Sequence, residues 1–241
     1  MLNIKSLEKY TNQFQTSLDN IIREYCQHLF LSYLYQEPGS EKLLFKGGTA
    51  LRIVFQSPRF SEDLDFSGFN IKYTEIEKLI TNTLTNLEKN GLIVDIEESK
   101  KTSGGYLANI LLKIEKRSTK IQIEISLRKR KEIKGTREMI HNNFIPAYTL
   151  IHLPTKYLIE EKIKALFNRK KPRDFFDYYF LLSANYSSVK NKENLKKVIF
   201  LLENNKINFN NEIRNFLPVS QARHMKNFKQ MLIDKIKNYL I

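Results

Sequence analysis

From Leu7 to Tyr35 apolar residues recur every three or four positions, with Leu18, Ile21, Ile22, Tyr25 and Leu29 on one stripe. That period predicts one long amphipathic helix, broken by Glu37-Pro38-Gly39-Ser40. Leu43-Leu44-Phe45 is a short apolar run of strand type, followed by glycines and a helical stretch over 50–55. Asp63-Leu64-Asp65-Phe66 alternates polar with apolar, as a half-buried strand does. A second amphipathic helix is expected over 73–89, stopped by Asn90-Gly91. Strands are expected over 92–97, 106–115 and 120–127. In the last of these Ile121, Ile123, Ile125 and Leu127 face one way and Gln122, Glu124 and Ser126 the other.

Beyond Pro154 the period changes. Helices are expected over 155–168, 172–184, 192–202 and 220–240, with Pro154 and Pro172 where a first-turn proline is tolerated. Strands followed by a run of helices predict an α+β fold: a mixed sheet core over residues 1–150, N-terminal helix included, and a helical domain over 151–241.

Composition adds three constraints. No stretch approaches the ~20 consecutive apolar residues of a membrane span. The lone Cys26 cannot close an internal disulfide and reads as a small buried residue, and the N-terminus lacks an apolar signal core. Both point to the cytoplasm. The net charge of +14 and pI of about 9.6 attract polyanions. A chain rich in Lys, Ile and Asn accumulates such charge by composition too, so the charge suggests a nucleic-acid partner without establishing one.

Candidate chemistry lies in Lys46-Gly47-Gly48-Thr49-Ala50-Leu51-Arg52 and Ser61-Glu62-Asp63-Leu64-Asp65-Phe66. Glycines between a strand and a helix let backbone N–H groups approach a phosphate. Thr49 can add its hydroxyl to the phosphates or cap the helix. Asp63 and Asp65, two apart on a strand, leave from one face, and their repulsion is relieved by a cation such as Mg²⁺, which substrate phosphates complete. Glu124 is the candidate third carboxylate, with Asp95 and Glu115 as rivals. Alone, Gly-Gly-Thr is a capped turn and Asp-x-Asp a solvated strand edge. In this order, one short helix apart, they are expected to form a phosphate and metal site.

These residues resemble the nucleotidyltransferase superfamily and, more closely, the AbiEii/AbiGii toxin family of type IV toxin–antitoxin and phage-abortive systems, to which the mycobacterial MenT toxins are related. Similarity continues through Glu160-Glu161-Lys162-Ile163-Lys164-Ala165-Leu166-Phe167-Asn168-Arg169 and Pro172-Arg173-Asp174-Phe175-Phe176-Asp177, covering residues 40 to 185. Thr49 stands where serine is common, and the hydroxyl remains. The resemblance implies an NTP-dependent transferase acting on the 3′ end of tRNA, with a cognate antitoxin as a further partner. It also implies Gly47 and Gly48 on the triphosphate, Asp63 and Asp65 on Mg²⁺, Lys162 on the nucleotide phosphates, and Asp174 activating the acceptor or orienting that lysine.

Spacing bears on the last two residues. Lys162 and Arg169, seven apart, share a helix face, which favours Lys162 over Lys164. Asp174, in the first turn of its helix and on one face with Asp177, has an alternative role as a dipole-favoured carboxylate paired with Arg169 or Arg173. The basic runs 128–131 and 169–173 are candidate tracks for an RNA backbone. The four histidines show no metal-ligand spacing. Two other readings share the motifs: transfer to a protein hydroxyl, and a non-catalytic basic module that binds RNA or protein.

Overall fold

A computed structural model describes residues 1–128 and 133–240, the side chains of 210 and 211 excepted, and shows an α+β protein. It divides into two compact units, Met1–Gln56 with Phe60–Pro154, and Ser57–Arg59 with Thr155–Ile241.

In the first unit the chain forms α1 (Ile4–Phe14), α2 (Leu18–Leu34), β1 (Leu43–Lys46), α3 (Gly47–Ile53), β2 (Leu64–Gly68), α4 (Tyr73–Lys89), β3 (Ile93–Thr102), β4 (Gly105–Ile114), β5 (Arg117–Leu127), β6 (Thr136–Ile140) and β7 (Tyr148–His152). The strands make one mixed sheet in the order β3-β4-β5-β2-β1-β7-β6. β2 runs parallel to β5 and antiparallel to β1, so β2 and β1 lie centrally, with neighbours on both edges.

The alternation on β5 decides which face is covered. Ile121, Ile123 and Ile125 are buried while Glu124 is exposed. α2 and α4, which pack on one another and on the sheet, must therefore lie over the isoleucine face. Each isoleucine buried there contributes roughly 1.5–3 kcal/mol. Cys26 is buried on α2, and burial pushes its thiol up to about 12, as expected of an unreactive packing residue.

Two elements differ from the periodicity. The expected single helix over 7–35 is α1 and α2: Gln15 ends α1 in the left-handed region (φ 51°), and the Ser17 side chain caps α2 by accepting from Asn20 N. The short helix expected from Ala50 begins on the glycines themselves, at Gly47.

The second unit contains α5 (Thr155–Arg169), α6 (Pro172–Ser183), α7 (Lys192–Asn204), α8 (Phe209–Ile213), α9 (Val219–Ala222) and α10 (Phe228–Lys237). Its core centres on Phe228, whose ring meets Phe176, Tyr179 and Phe209 at centroid distances of 5.8, 5.4 and 4.9 Å. The helix expected over 220–240 is interrupted by a 3₁₀ segment, Arg223–Asn227. Met225 and Phe228 are both buried and three apart, and three residues per turn is the repeat that aligns them. Among the described residues no helix is long and apolar enough to cross a membrane.

Candidate active site

β1 passes directly into α3 through Gly47, whose φ of +85° strains any L side chain. Space imposes a second constraint. A Cβ built on Gly47 would lie 2.7 Å from Asp65 Cγ and 2.8 Å from Asp65 Cβ, and would overlap Oδ2. The glycine turn and the Asp65 carboxylate are thus brought together by the antiparallel pairing of β1 with β2.

Asp65 sits within β2, in register with Lys46 on β1 and Glu124 on β5. Register partners project from the same face, so Lys46, Asp65 and Glu124 form a row across three strands, opposite the buried isoleucines. Lys46 is buried, Asp65 half-buried and Glu124 exposed. Asp63 lies just before β2, and its carbonyl accepts a hydrogen bond from Thr49 Oγ1. Thr49 is fully buried, and its one hydroxyl hydrogen goes to Asp63. It therefore ties the first turn of α3 to the acidic segment. Gly48 is in that same turn.

The rival carboxylates lie elsewhere. Asp95 is on β3, three strands from β2 and so about 14 Å away across the sheet. Glu115 follows β4 with a φ of 53°, and its Oε1 accepts from Ile4 N at 3.4 Å. Among the described residues no three His, Cys, Asp or Glu side chains are gathered closely enough to hold an ion by themselves.

Arg52, in the last turn of α3, fixes that helix to α2. Its guanidinium meets Glu24 at 3.0 and 3.2 Å and lies 4.0 Å from the Phe60 ring centroid. Burial raises the Glu24 carboxyl above its usual range, and Arg52 offsets this only in part.

In the second unit Lys162 Nζ is 2.7 Å from Asp177 Oδ2. Arg59 grips the same carboxylate through Nε at 2.9 Å to Oδ1 and Nη2 at 3.1 Å to Oδ2. Burial alone would push Asp177 up, but the Arg59 and Lys162 charges outweigh it and hold the carboxyl below its usual range. Two cations on one carboxylate leave this buried trio with a net charge of +1. Asp174 is also buried, but its partners differ: Oδ1 lies 2.6 Å from Arg169 Nη2, and Oδ2 accepts from Lys171 N at the start of α6. The carboxylate that holds Lys162 is Asp177, one turn beyond the residue singled out in the sequence.

Sequence reasoning missed Arg59 and the role of Asp177. The signal was available: a lone carboxylate within Phe175-Phe176-Asp177-Tyr178-Tyr179-Phe180 will be buried, and a buried carboxylate needs a cation. Of the basic run 128–131, Arg128 donates to Ser67 Oγ at 3.2 Å, and Lys129, Arg130 and Lys131 lie outside the described residues. In the other run Arg169 is held by Asp174 and Arg173 faces Glu212 at 3.8 Å, while Lys170 and Lys171 are exposed. Among the histidines, His28 Nδ1 pairs with the Tyr148 hydroxyl at 2.9 Å and His152 Nδ1 with the Leu153 carbonyl at 2.8 Å.

A family model described as the nucleotidyl transferase AbiEii toxin of type IV toxin–antitoxin systems matches residues 29–238. The fold is similar to that of MenT4, a nucleotidyltransferase toxin of Mycobacterium tuberculosis, with a TM-score of 0.62 and 14% identity over 98% of this chain and 90% of that one. It is also similar to a crystal structure from H. pylori described as a nucleotidyltransferase, with a TM-score of 0.59 and 20% identity over 92% of this chain and 98% of that one. JHP933 from Helicobacter pylori matches at a TM-score of 0.53 and 20% identity, over 92% of this chain and 95% of that one. At such identities the structural likeness speaks for the fold. No curated protein matches the sequence.

Proposed function

Because the chain belongs to the AbiEii family of nucleotidyltransferase toxins of type IV toxin–antitoxin systems, we propose that it moves a nucleoside monophosphate from an NTP onto RNA, with the 3′ end of tRNA as acceptor, and so blocks translation. Nucleotidyl transfer follows from the family; the RNA acceptor and Mg²⁺ are the proposal. The observation that carries it is the approach of the Gly47 backbone to the Asp65 carboxylate, which puts a turn without a side chain beside an acidic group.

The donor set fits a hard divalent ion. It offers carboxylate oxygens only, and too few to cage an ion without substrate phosphates and water. Asp63 and Asp65 would hold Mg²⁺, with Glu124, in register with Asp65, as the proposed third donor. Bound there, Mg²⁺ supplies positive charge against the acceptor hydroxyl and the departing pyrophosphate. Gly47, Gly48 and the backbone N–H of Thr49, whose hydroxyl is committed to Asp63, would seat the triphosphate on the first turn of α3, whose cap residue Lys46 has no side-chain acceptor to offer that turn. Lys162 spends one of its three N–H donors on Asp177 and keeps two for phosphate oxygens. Asp174 serves this reading through Arg169, which it holds at the end of α5.

The reaction is an in-line displacement. The acceptor oxygen bonds to the α-phosphorus, the bond to the bridging oxygen breaks, pyrophosphate leaves and the hydroxyl proton passes to solvent. Orientation and charge supply the acceleration.

The test is incubation with each of the four NTPs, labelled at the α-phosphate, in the presence of Mg²⁺, tRNA and cell extract. Label on intact tRNA, and none on tRNA whose 3′ end has been oxidised by periodate, is expected. Label on protein instead would move the acceptor to a protein hydroxyl. No label on any fraction, with no NTP binding, would leave a basic binding module. A type IV system also implies a cognate antitoxin, which relief of growth arrest by a neighbouring reading frame would identify.

A further inference from the structure

We infer that Gln27 is a positioning residue of the transferase site: its carboxamide, together with the Thr49 hydroxyl, holds the backbone of residues 61–63 and so sets where the Asp63 carboxylate stands beside Asp65. The inference rests on the transferase reading and concerns a residue outside the segment 29–238 that the family model matches.

The geometry is specific. Gln27, on α2, is 1% exposed, and its Nε2 lies 3.0 Å from the Ser61 carbonyl oxygen and 3.0 Å from that of Glu62. A carboxamide nitrogen has two hydrogens, and both are used here on consecutive peptide units. Both partners are acceptors, so only the nitrogen can face them and the orientation of the amide is settled by chemistry. The next carbonyl, that of Asp63, accepts from Thr49 Oγ1. Arg23, one helical turn before Gln27, reaches the Glu62 side chain at 3.5 Å. Three successive carbonyls are therefore held by side chains from α2 and α3.

That arrangement divides the work of placing the two aspartates. Asp65 is fixed by the sheet, with ladder partners on both sides. β2 begins only at Leu64, so Asp63 and the two residues before it lie in an irregular segment. Buried carbonyls in such a segment still need donors. Gln27 supplies two of them from a helix that otherwise faces the core, and Glu24 on the same helix fixes α3 through Arg52. α2 thereby sets both the glycine turn and the approach to Asp63.

The test compares wild type with Gln27→Met, which keeps the length of the side chain and removes both donors. Calorimetric titration with Mn²⁺ in the presence of a non-hydrolysable NTP analogue reads the site without turnover, and transfer is measured against Mg²⁺ concentration alongside. The expected result is a loss of about ten- to a hundredfold in Mn²⁺ affinity, as for other groups that orient metal ligands. The Mg²⁺ needed for half-maximal transfer should rise in parallel, and excess Mg²⁺ should recover most of the rate. His28→Gln, at the adjacent buried position, controls for general loosening of α2 and should leave Mn²⁺ affinity unchanged. If Gln27→Met does not fold, Gln27→Asn, too short to span both carbonyls, carries the same expectation. Unchanged Mn²⁺ affinity in the Gln27 variant, or an equal loss in His28→Gln, overturns the positioning role. Wild type that binds neither Mn²⁺ nor the analogue overturns the transferase reading itself.

Discussion

Gly47 and Asp65 lie so close that position 47 has no room for a β-carbon: built there, it would be 2.7 Å from Asp65 Cγ and would overlap the carboxylate oxygen. Lys46, the residue before the turn, is the ladder partner of Asp65, so the contact is set by β-sheet register rather than by a mobile loop. Position 47 is thus required to be glycine twice over, by its φ and by the neighbouring carboxylate.

Gly47→Ala is therefore expected to cost about 1–2 kcal/mol for the left-handed backbone, and more for the overlap with Asp65. Asp65→Ala removes two of the three atoms in the way. The double variant should unfold at lower denaturant than wild type but at higher denaturant than additivity predicts. Strict additivity in that double-mutant cycle would show that the contact is not felt.

Asp65→Asn keeps the shape and removes the charge. It should leave the melting temperature within a few degrees and lower transfer by about a hundredfold or more. Full activity would remove the metal assignment.

Much of the candidate site's geometry was legible because its signals are local. The Ile121, Ile123, Ile125 alternation fixed β5 and with it the face of Glu124, and Gly47-Gly48-Thr49 ahead of Asp63 and Asp65 marked the turn and the carboxylates. What escaped depends on contacts distant in sequence. β6 exposes four of its five residues, so it carries no alternation to read, and β7 is a five-residue strand set by its pairing with β1 and β6. Asp177 and Arg59 are 118 residues apart, and neither spacing nor period links them. Nothing in the sequence sets Gln27 apart from other polar residues of an amphipathic helix, because its partners are backbone carbonyls.

His28 gives the fold a pH dependence. Burial and the nearby Arg52 charge lower its imidazole to about 3. The unfolded chain thus binds a proton below about pH 6.5 that the folded chain refuses until about pH 3. Stability should fall as pH drops through that window, by up to about 1.4 kcal/mol per pH unit from this group. His28→Gln should flatten the slope between those limits when denaturant midpoints are measured against pH, and an unchanged slope would mean that His28 can be protonated in place.

The trio of Arg59, Asp177 and Lys162 separates stability from activity. Asp177→Asn would remove the carboxylate that two buried cations share, since the three side chains are only 6%, 2% and 11% exposed. Breaking such a group from one side typically costs about 3–5 kcal/mol, whereas replacing all its members with apolar residues of similar volume is close to neutral. Asp177→Asn should therefore be less stable than the triple variant Arg59→Met, Asp177→Leu, Lys162→Met. Lys162→Met alone is the informative case. The bidentate Arg59 grip still neutralises Asp177, so stability should fall by less than in Asp177→Asn, while transfer should fall if Lys162 binds the phosphates as proposed. Differential calorimetry and the labelled-NTP assay on the same samples read the two effects apart. A Lys162→Met protein that transfers at the wild-type rate would reduce the trio to a structural clasp and leave the nucleotide to the glycine turn and the aspartates alone.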